Sequence, residues 1–334
     1  MTRLTDAQIQ AALDAKTKPL GALGRIETLA ADIARFQNTL VPRMDRCGLI
    51  VFAADHGIAE EGVSKFPQAV TRQMVANFLA GGAAANVFAA TAGVDMRVVD
   101  AGVAGEPVLH PGLINRRIGP GTGNSVAEPA MSTAGLAAAL DAGERLAEEG
   151  HYDALAFGEM GIANTSAATL IGHKLTGAPI AALTGRGTGL DDAALAHKTG
   201  VLARASARTP DALSAEETLI EYGGFEIAMM TGAMLGAAGA GRMILVDGFI
   251  ATSAALAATR LDPAARAAMI FAHASQEAGH KILLDALGAR PLLSLDMRLG
   301  EGTGALLAWP LVRAAAAMLR DMASFEAAGV SGPA

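Results

Sequence analysis

The sequence contains one cysteine, few aromatic side chains and no excess of positive charge. Cys47 is the only cysteine among 334 residues, so the chain forms no internal disulfide or thiolate metal cluster. Such cysteine usage is typical of a reducing compartment. Aromatic residues make up 4%, and 26 basic residues against 33 acidic ones give a formal net charge of -7. This balance argues against broad attraction to nucleic acid or to an anionic membrane.

Small and apolar side chains dominate the composition of the chain. Hydrophobic residues make up 51% and charged residues 18%, a composition that excludes a disordered chain. The least charged stretch, residues 227–241, is interrupted by glycines and flanked by Glu226 and Arg242, so we predict a buried helix there and no membrane span. The first six residues contain no apolar segment, so we expect no secretory signal and a cytoplasmic location.

Short apolar runs recur along the chain, each followed by a turn and then by an alanine-rich stretch. Their continuous hydrophobicity is typical of strands that are covered on both faces. Alternation of such strands with helices predicts an α/β fold with a mostly parallel sheet and helices on both faces. The predicted strands are residues 49–53, 96–99, 154–157, 180–183, 243–246 and 268–271.

The two ends of the chain do not follow this alternation. Two helices are predicted before Arg43, and a long helical stretch is predicted from Ala305 to about Phe325. We therefore predict a small helical subdomain formed by residues 1–42 and 298–330, beside a large α/β domain of residues 43–297.

Polar residues and glycines follow the predicted strands, at the sheet edge where open α/β sheets bind ligands. Residues 158–166 and 185–192 each combine glycines with a potential helix N-cap, and such loops bind anions through free backbone N–H groups. Lys198, about two turns into the second predicted helix, would add a positive charge. Neither loop has the lysine of a Walker A motif, and the dinucleotide-binding glycine spacing is incomplete. Each loop alone is equally compatible with an ordinary turn.

Two glutamates lie beside glycines, in Gly158-Glu159-Met160-Gly161 and Gly300-Glu301-Gly302. A glutamate flanked in this way can approach a ligand closely in a partly dry pocket, where its pKa rises. The alternative is an ordinary solvated loop glutamate.

Metal binding has little support from histidine spacing. Asp55-His56, His273 and His280 are the best candidates, yet none has a second ligand at close helical spacing, so we predict no metal site. His273 is expected in a loop and His280 on a helix surface.

Ten segments in a fixed order resemble the nicotinate-nucleotide–dimethylbenzimidazole phosphoribosyltransferase family. Together they extend over almost the whole chain, although Gly123 and Ala163 depart from the pattern that we expect of that family. The segments are residues 55–57, 61–64, 67–71, 128–131, 158–162, 164–165, 187–192, 223–227, 247–249 and 298–304.

The resemblance implies transfer of 5-phosphoribose from nicotinate mononucleotide to 5,6-dimethylbenzimidazole, which yields α-ribazole 5′-phosphate for cobalamin and releases nicotinate. It also implies a Rossmann-like sheet and a homodimer. By this resemblance Glu301 is the general base and Glu159 lies near the reacting ribose. The implied nucleotide and phosphate contacts are Gly161, Asn164, Thr165, Gly187, Thr188 and Lys198, and the implied aromatic-base pocket is Ser64, Gln73, Met160 and Leu299.

The implied chemistry suits these residues. Nicotinate leaves from a positively charged nitrogen and needs no acid, whereas the attacking benzimidazole must lose its N–H proton to one carboxylate. A second carboxylate would stabilise positive charge at the sugar carbon. No pyrophosphate departs, so we expect no metal or other cofactor. Two alternatives remain: a nicotinamide-dependent oxidoreductase, and a nucleotide-binding relative that has lost catalysis.

Overall fold

The structure, a computed structural model, describes residues 3–187 and 189–331. Six strands form one sheet in which every described pairing is parallel. The spatial order is β3-β2-β1-β4-β5-β6, where the strands are β1 (Cys47–Ala54), β2 (Asp95–Gly102), β3 (Leu113–Asn115), β4 (Ala154–Met160), β5 (Met243–Val246) and β6 (Met269–Phe271). This is the Rossmann order, and the chain turns to opposite sides of the sheet between β1 and β4, so a crevice opens at their carboxyl ends. The predicted parallel α/β fold is confirmed.

Helices flank the sheet on both faces. They are α1 (Asp6–Asp14), α2 (Arg25–Gln37), α3 (Ala69–Leu79), α4 (Ala84–Ala92), α5 (Thr133–Glu148), α6 (Asn164–Thr176), α7 (Ile180–Leu183), α8 (Asp192–Ser206), α9 (Ala215–Tyr222), α10 (Phe225–Gly239), α11 (Phe249–Leu261), α12 (His280–Ala286), α13 (Thr303–Asp321) and α14 (Phe325–Ala328), with 3₁₀ turns at Gly57–Glu61 and Pro263–Ala268.

One predicted strand is wrong. Residues 180–183 form the short helix α7, which follows Pro179 and in which the N–H and hydroxyl of Thr184 both donate to the carbonyl of Ile180. A four-residue apolar run has no periodicity that separates a buried strand from a buried helical turn. The other five runs are strands, and β3, which was not predicted, adds an edge strand beside β2.

Alternate side chains of the central strands enter two different cores. Ile50 and Phe52 of β1 pack with α5, α6, α10 and α11, whereas Leu49 and Val51 pack with α1, α2, α4 and α13 on the opposite face. All four side chains are fully buried. This double burial explains why the strands are continuously apolar.

The terminal helices meet one another. The N–H of Phe325 donates to the carbonyl of Ala15 over 2.9 Å, and Lys16 forms an antiparallel bridge with Ser324. Buried residues of α1, α2 and α13 belong to the same core as one face of the sheet. The division into a terminal subdomain and a large domain stays a prediction.

Helix α10 is buried against α5, as expected for residues 227–241. A Cβ at Gly143 would lie 1.9 Å from the carbonyl oxygen of Met229, so only glycine permits this approach. By length and composition one stretch, Ala69–Ala92, could cross a membrane: it has 24 residues, a mean hydropathy of 1.3 and 28% of its most apolar window buried. It comprises α3, α4 and the intervening turn, in which Gly81 has a φ of +80°.

Candidate active site

A cavity of about 480 Å³ opens at the carboxyl ends of β4, β5 and β6. The turn before α13 forms one side of the cavity, and the loop before α8 forms another. Both carboxylates singled out in the sequence, Glu159 and Glu301, line it, although they are 142 positions apart in the chain. The cavity lies at the sheet edge where α/β folds bind ligands.

Glu301 occupies an unusual turn. Gly300, Glu301 and Gly302 all have left-handed backbones, with φ values of +90°, +63° and +81°. A Cβ at Gly300 would lie 2.2 Å from Oε1 of Glu159, and one at Gly158 would lie 2.4 Å from the carbonyl carbon and oxygen of Glu301. The glycines therefore allow the backbone of Glu301 to pass directly over β4 and next to Glu159.

Both carboxylates are buried, with 7% of Glu159 and 6% of Glu301 exposed. Burial raises the pKa of Glu159 to about 8, and the charges of Glu226 and Asp247 add to the rise, although the side-chain amide of Asn164 donates a hydrogen bond to Glu159. Burial also raises the pKa of Glu301, opposed by the backbone N–H of Ala85, which donates to its Oε2 over 3.3 Å. Raised carboxylate pKa values in a cavity are typical of groups that handle protons.

The part of the cavity beside the start of α6 carries a basic side chain, Lys198, with the carboxylate of Glu277 nearby. The Nζ of Lys198 donates to the hydroxyl of Thr165 over 2.8 Å, and only 1% of the lysine is exposed. Burial lowers the pKa of this lysine to about 8. Arg298 donates to the carbonyl of Gly187 over 2.9 Å. A buried lysine beside a glycine loop, facing the first turn of α6, is an arrangement suited to a phosphate.

The predicted phosphate residues come together in this region. Gly161, Asn164, Thr165, Gly187 and Lys198 all line the cavity, whereas Thr188 lies outside the described residues. Asn164 begins α6, and the preceding Ala163 has a φ of +75°. The loop before Gly187 follows the short helix α7, and the expectation that it follows a strand is wrong.

The remaining walls are mainly apolar. Ser64, Met160 and Leu299 of the predicted aromatic-base pocket line the cavity, together with Val63, Phe66, Val70, Met74 and Ile162. Gln73 is exposed on α3 and is not part of the lining, although its neighbour Met74 is. A contact between Gln73 and a substrate stays a prediction.

Several lining residues were given no role by sequence reasoning. They are Arg186, Asp247, His273, Glu277 and Arg298. Asp247 directly follows β5 and His273 lies two residues after β6, so the general signal of polar residues at strand ends includes both. Nothing in the sequence assigns them a partner.

The histidines considered for metal binding have other partners. His56 is 2.6 Å from a carboxylate oxygen of Glu226, and the Nε2 of His280 is 2.9 Å from the hydroxyl of Thr252. The expected surface position of His280 is wrong, because its ring is buried between α11 and the loop after β6. Within residues 3–187 and 189–331, no group of three or more histidine, cysteine or acidic side chains is arranged to hold a metal.

The fold and the cavity define a nucleotide-binding α/β protein, and comparison with known families makes the class specific. A family profile described as phosphoribosyltransferase matches residues 2–330. The chain therefore belongs to this phosphoribosyltransferase family.

Relatives of known name narrow the comparison further. The chain is 55% identical to the nicotinate-nucleotide–dimethylbenzimidazole phosphoribosyltransferase of Cupriavidus necator, over 99% of this chain and 97% of that protein. It is 53% identical to the enzyme of the same name from Aromatoleum aromaticum, over 97% of this chain and 95% of that protein. The crystal structure of CobT from Thermus thermophilus matches with a TM-score of 0.95 and 45% identity, over 98% of this chain and 99% of that one. These matches confirm the resemblance found in the sequence.

Proposed function

We propose that this protein transfers 5-phosphoribose from nicotinate mononucleotide to 5,6-dimethylbenzimidazole, giving α-ribazole 5′-phosphate and nicotinate in cobalamin biosynthesis. The observation that carries the proposal is one cavity lined by two buried carboxylates and by a buried lysine. Relatives more than 50% identical along nearly the whole chain bear the name of this activity. Family membership also argues against the nicotinamide-dependent oxidoreductase.

Glu301 acts as the general base in this proposal. The attacking benzimidazole nitrogen forms a bond to C1 of the ribose while the bond to the nicotinate nitrogen breaks. The other ring N–H gives its proton to a carboxylate oxygen of Glu301, so the product ring is neutral. The raised pKa of Glu301 makes its carboxylate a stronger base than a solvated glutamate, and such proton transfers contribute about 10²–10⁴ in rate.

Glu159 serves the ribose side of the reaction. With its pKa raised to about 8, this group is largely neutral at pH 7 before the donor binds. A donor that carries a pyridinium cation favours the ionised carboxylate, because an opposite charge nearby lowers a carboxyl pKa. The ionised Glu159 then stabilises positive charge at C1 as the nicotinate leaves.

Lys198, Thr165 and the start of α6 hold the phosphate in this proposal. Burial lowers the pKa of Lys198, opposed by the charge of Glu277, and the arriving phosphate adds a second opposite charge that favours the protonated lysine. The anchor fixes C1 of the ribose relative to Glu159 and Glu301, so its contribution is orientation. The apolar walls around Met160 and Leu299 accept the flat aromatic acceptor.

We further propose a cytoplasmic homodimer. Support comes from the 69–92 stretch, which is apolar yet has only 28% of its most apolar window buried. Val87 on α4 is 54% exposed, and Leu307 on the adjoining α13 is 36% exposed. A second copy covering these side chains would remove apolar surface from water. Light scattering of the purified protein tests this: twice the chain mass is expected, and a monomer at micromolar concentration would refute it.

The activity is tested by mixing the purified protein with nicotinate mononucleotide and 5,6-dimethylbenzimidazole and separating the nucleotides by chromatography. A new ribonucleotide with the benzimidazole absorbance, formed together with equimolar nicotinate, is the expected result. Absence of both products across pH 6 to 10 would refute the proposal and favour the relative without catalysis.

A further inference from the structure

We propose that Asp247 is the positioning residue for Glu301, holding the left-handed turn that aims this glutamate into the cavity. The inference rests on the proposed role of Glu301 as the base. Asp247 directly follows β5, is 2% exposed and lines the same cavity. It lies 54 positions before Glu301 in the sequence, so only the fold brings the two together.

Both carboxylate oxygens of Asp247 bind the start of α13. Oδ2 accepts from the N–H of Gly302 over 3.2 Å, and Oδ1 accepts from the N–H of Ala305 over 3.0 Å. The N-cap residue of α13 is Gly302, which has no side chain to accept these bonds. The free N–H groups of this helix start are therefore satisfied by a carboxylate on another element, with the charge that favours a helix N-terminus.

The hydrogen bonds between Asp247 and the start of α13 fix the backbone beside a strained residue. Glu301 is one of four described non-glycine residues with a positive φ, and such conformations persist only where the surroundings impose them. Asp247 binds the peptide N–H immediately after Glu301, while Gly158 of β4 packs against the carbonyl group of Glu301. The backbone of Glu301 is thus held on both sides, and the N–H of Ala85 binds its Oε2, so the side chain stays directed into the cavity.

His273 supports Asp247 from β6. Its Nε2 lies 3.7 Å from Oδ1 of Asp247, and both side chains are almost fully buried. The imidazole also occupies the space above Gly304, where a Cβ would lie 2.0 Å from the ring. The carboxylate of Asp247 is thus fixed between the ring of His273 and the first turn of α13.

Asp247 also affects the charge of the base. The groups that face Glu301 are the Ala85 N–H from α4, Glu159 from β4 and Asp247 from the end of β5, with His273 behind Asp247. Burial raises the pKa of Glu301, and the charge of Asp247 raises it further. Removal of that charge lowers the pKa of Glu301, so the acid limb of the kcat–pH profile should move to lower pH.

The test combines Asp247→Asn with Glu301→Gln in a double-mutant cycle, measuring kcat, the KM for nicotinate mononucleotide and the pH profile. In the native background Asp247→Asn should lower kcat by about 10-fold or more, as expected when a base loses its alignment. The KM should change little, because Asp247 binds the start of α13, whereas the proposed phosphate contacts are Lys198 and Thr165 at the start of α6. In the Glu301→Gln background the same substitution should change kcat less than about 3-fold, since residues acting as one unit are not additive.

Asp100→Asn is the matched control. Asp100 is also a buried aspartate at the carboxyl end of a strand, and it accepts the N–H of Val103 over 2.8 Å, but it does not line the cavity. The Asp100→Asn variant should have a lower free energy of unfolding but an unchanged acid limb of the kcat–pH profile. If Asp247→Asn fails to fold, Asp247→Ser, which keeps one acceptor without the charge, is measured against the same criteria.

The outcomes separate the two proposals. An inactive native protein refutes the proposed function itself. An active native protein whose Asp247 variant keeps kcat and the acid limb refutes only the positioning role. Equal losses of kcat in the native and Glu301→Gln backgrounds also refute it, because Asp247 would then act independently of the base.

Discussion

Replacing Glu159 with glutamine should change how the stability of the protein depends on pH. Burial and the charges of Glu226 and Asp247 raise the pKa of this group from 4.5 to about 8. Between these two pH values the folded protein holds a proton that the unfolded chain has released. The free energy of unfolding therefore falls as the pH rises through this window, and the Glu159 contribution is fully present only below about pH 4.5.

The size of the effect follows from the pKa difference. Each pKa unit corresponds to about 1.4 kcal/mol, so the full window sets an upper limit of about 5 kcal/mol. Relaxation around buried charges reduces such values, and we expect about 2–5 kcal/mol. Glutamine has no proton to lose and its amide oxygen can still accept from Asn164, so Glu159→Gln should become more stable relative to the native protein by this amount between pH 5 and pH 9.

Urea unfolding of both proteins at pH 5, 7 and 9 measures the difference. The control is Glu216→Gln, which changes an exposed glutamate on α9 and should leave the pH dependence as it is in the native protein. If the native protein and Glu159→Gln lose stability in parallel as the pH rises, the carboxyl is already ionised in the fold and the reasoning is wrong.

Four further predictions concern residues that line the same cavity. Glu301→Gln should lower kcat by about 10²–10³ with little change in the KM for nicotinate mononucleotide, and a loss below 10-fold in steady-state assays would remove Glu301 from the role of base. Lys198→Met should raise that KM by about 10–100-fold but leave the KM for the phosphate-free riboside unchanged; equal effects on both donors would contradict a phosphate contact. In the native enzyme the KM should also rise above about pH 8, where Lys198 loses its proton. Ala163→Gly should stabilise the fold by about 0.5–1 kcal/mol in urea unfolding, because Ala163 has a φ of +75°, whereas Ala168→Gly inside α6 should destabilise it by about 1 kcal/mol; loss of stability in both would argue against strain at Ala163.

The sheet could be predicted because its central strands are buried on both faces. The apolar runs that became β1, β4 and β5 owe their continuity to two cores, one on each side. Residues 180–183 carry the same local signal, yet the preceding Pro179 and the hydroxyl of Thr184 favour one helical turn. Edge strand β3 has only three residues and one buried side chain, too few to give a pattern.

Part of the site could also be predicted, because glycines mark the positions of its two carboxylates. Glycines beside Glu159 and Glu301 indicate close backbone approach, and the structure places both carboxylates in one cavity. Asp247 differs, because its aspartate-glycine sequence is that of an ordinary turn, and its link to Gly302 and Ala305 exists only after β5 and α13 have packed. A residue whose sequence neighbours signal a close contact can therefore be predicted, whereas a residue whose partners are brought to it by long-range folding cannot.

Glu301 lies just before α13, so its position depends on the amino-terminal helices against which α13 packs. This helix runs 19 residues away from the cavity and packs beside α2, within a core that also contains α1. Removal of the amino-terminal helices would therefore loosen the turn that holds the proposed base, although none of the deleted residues lines the cavity. Heat or proteolysis that frees the amino-terminal helices should abolish turnover while the sheet is still intact.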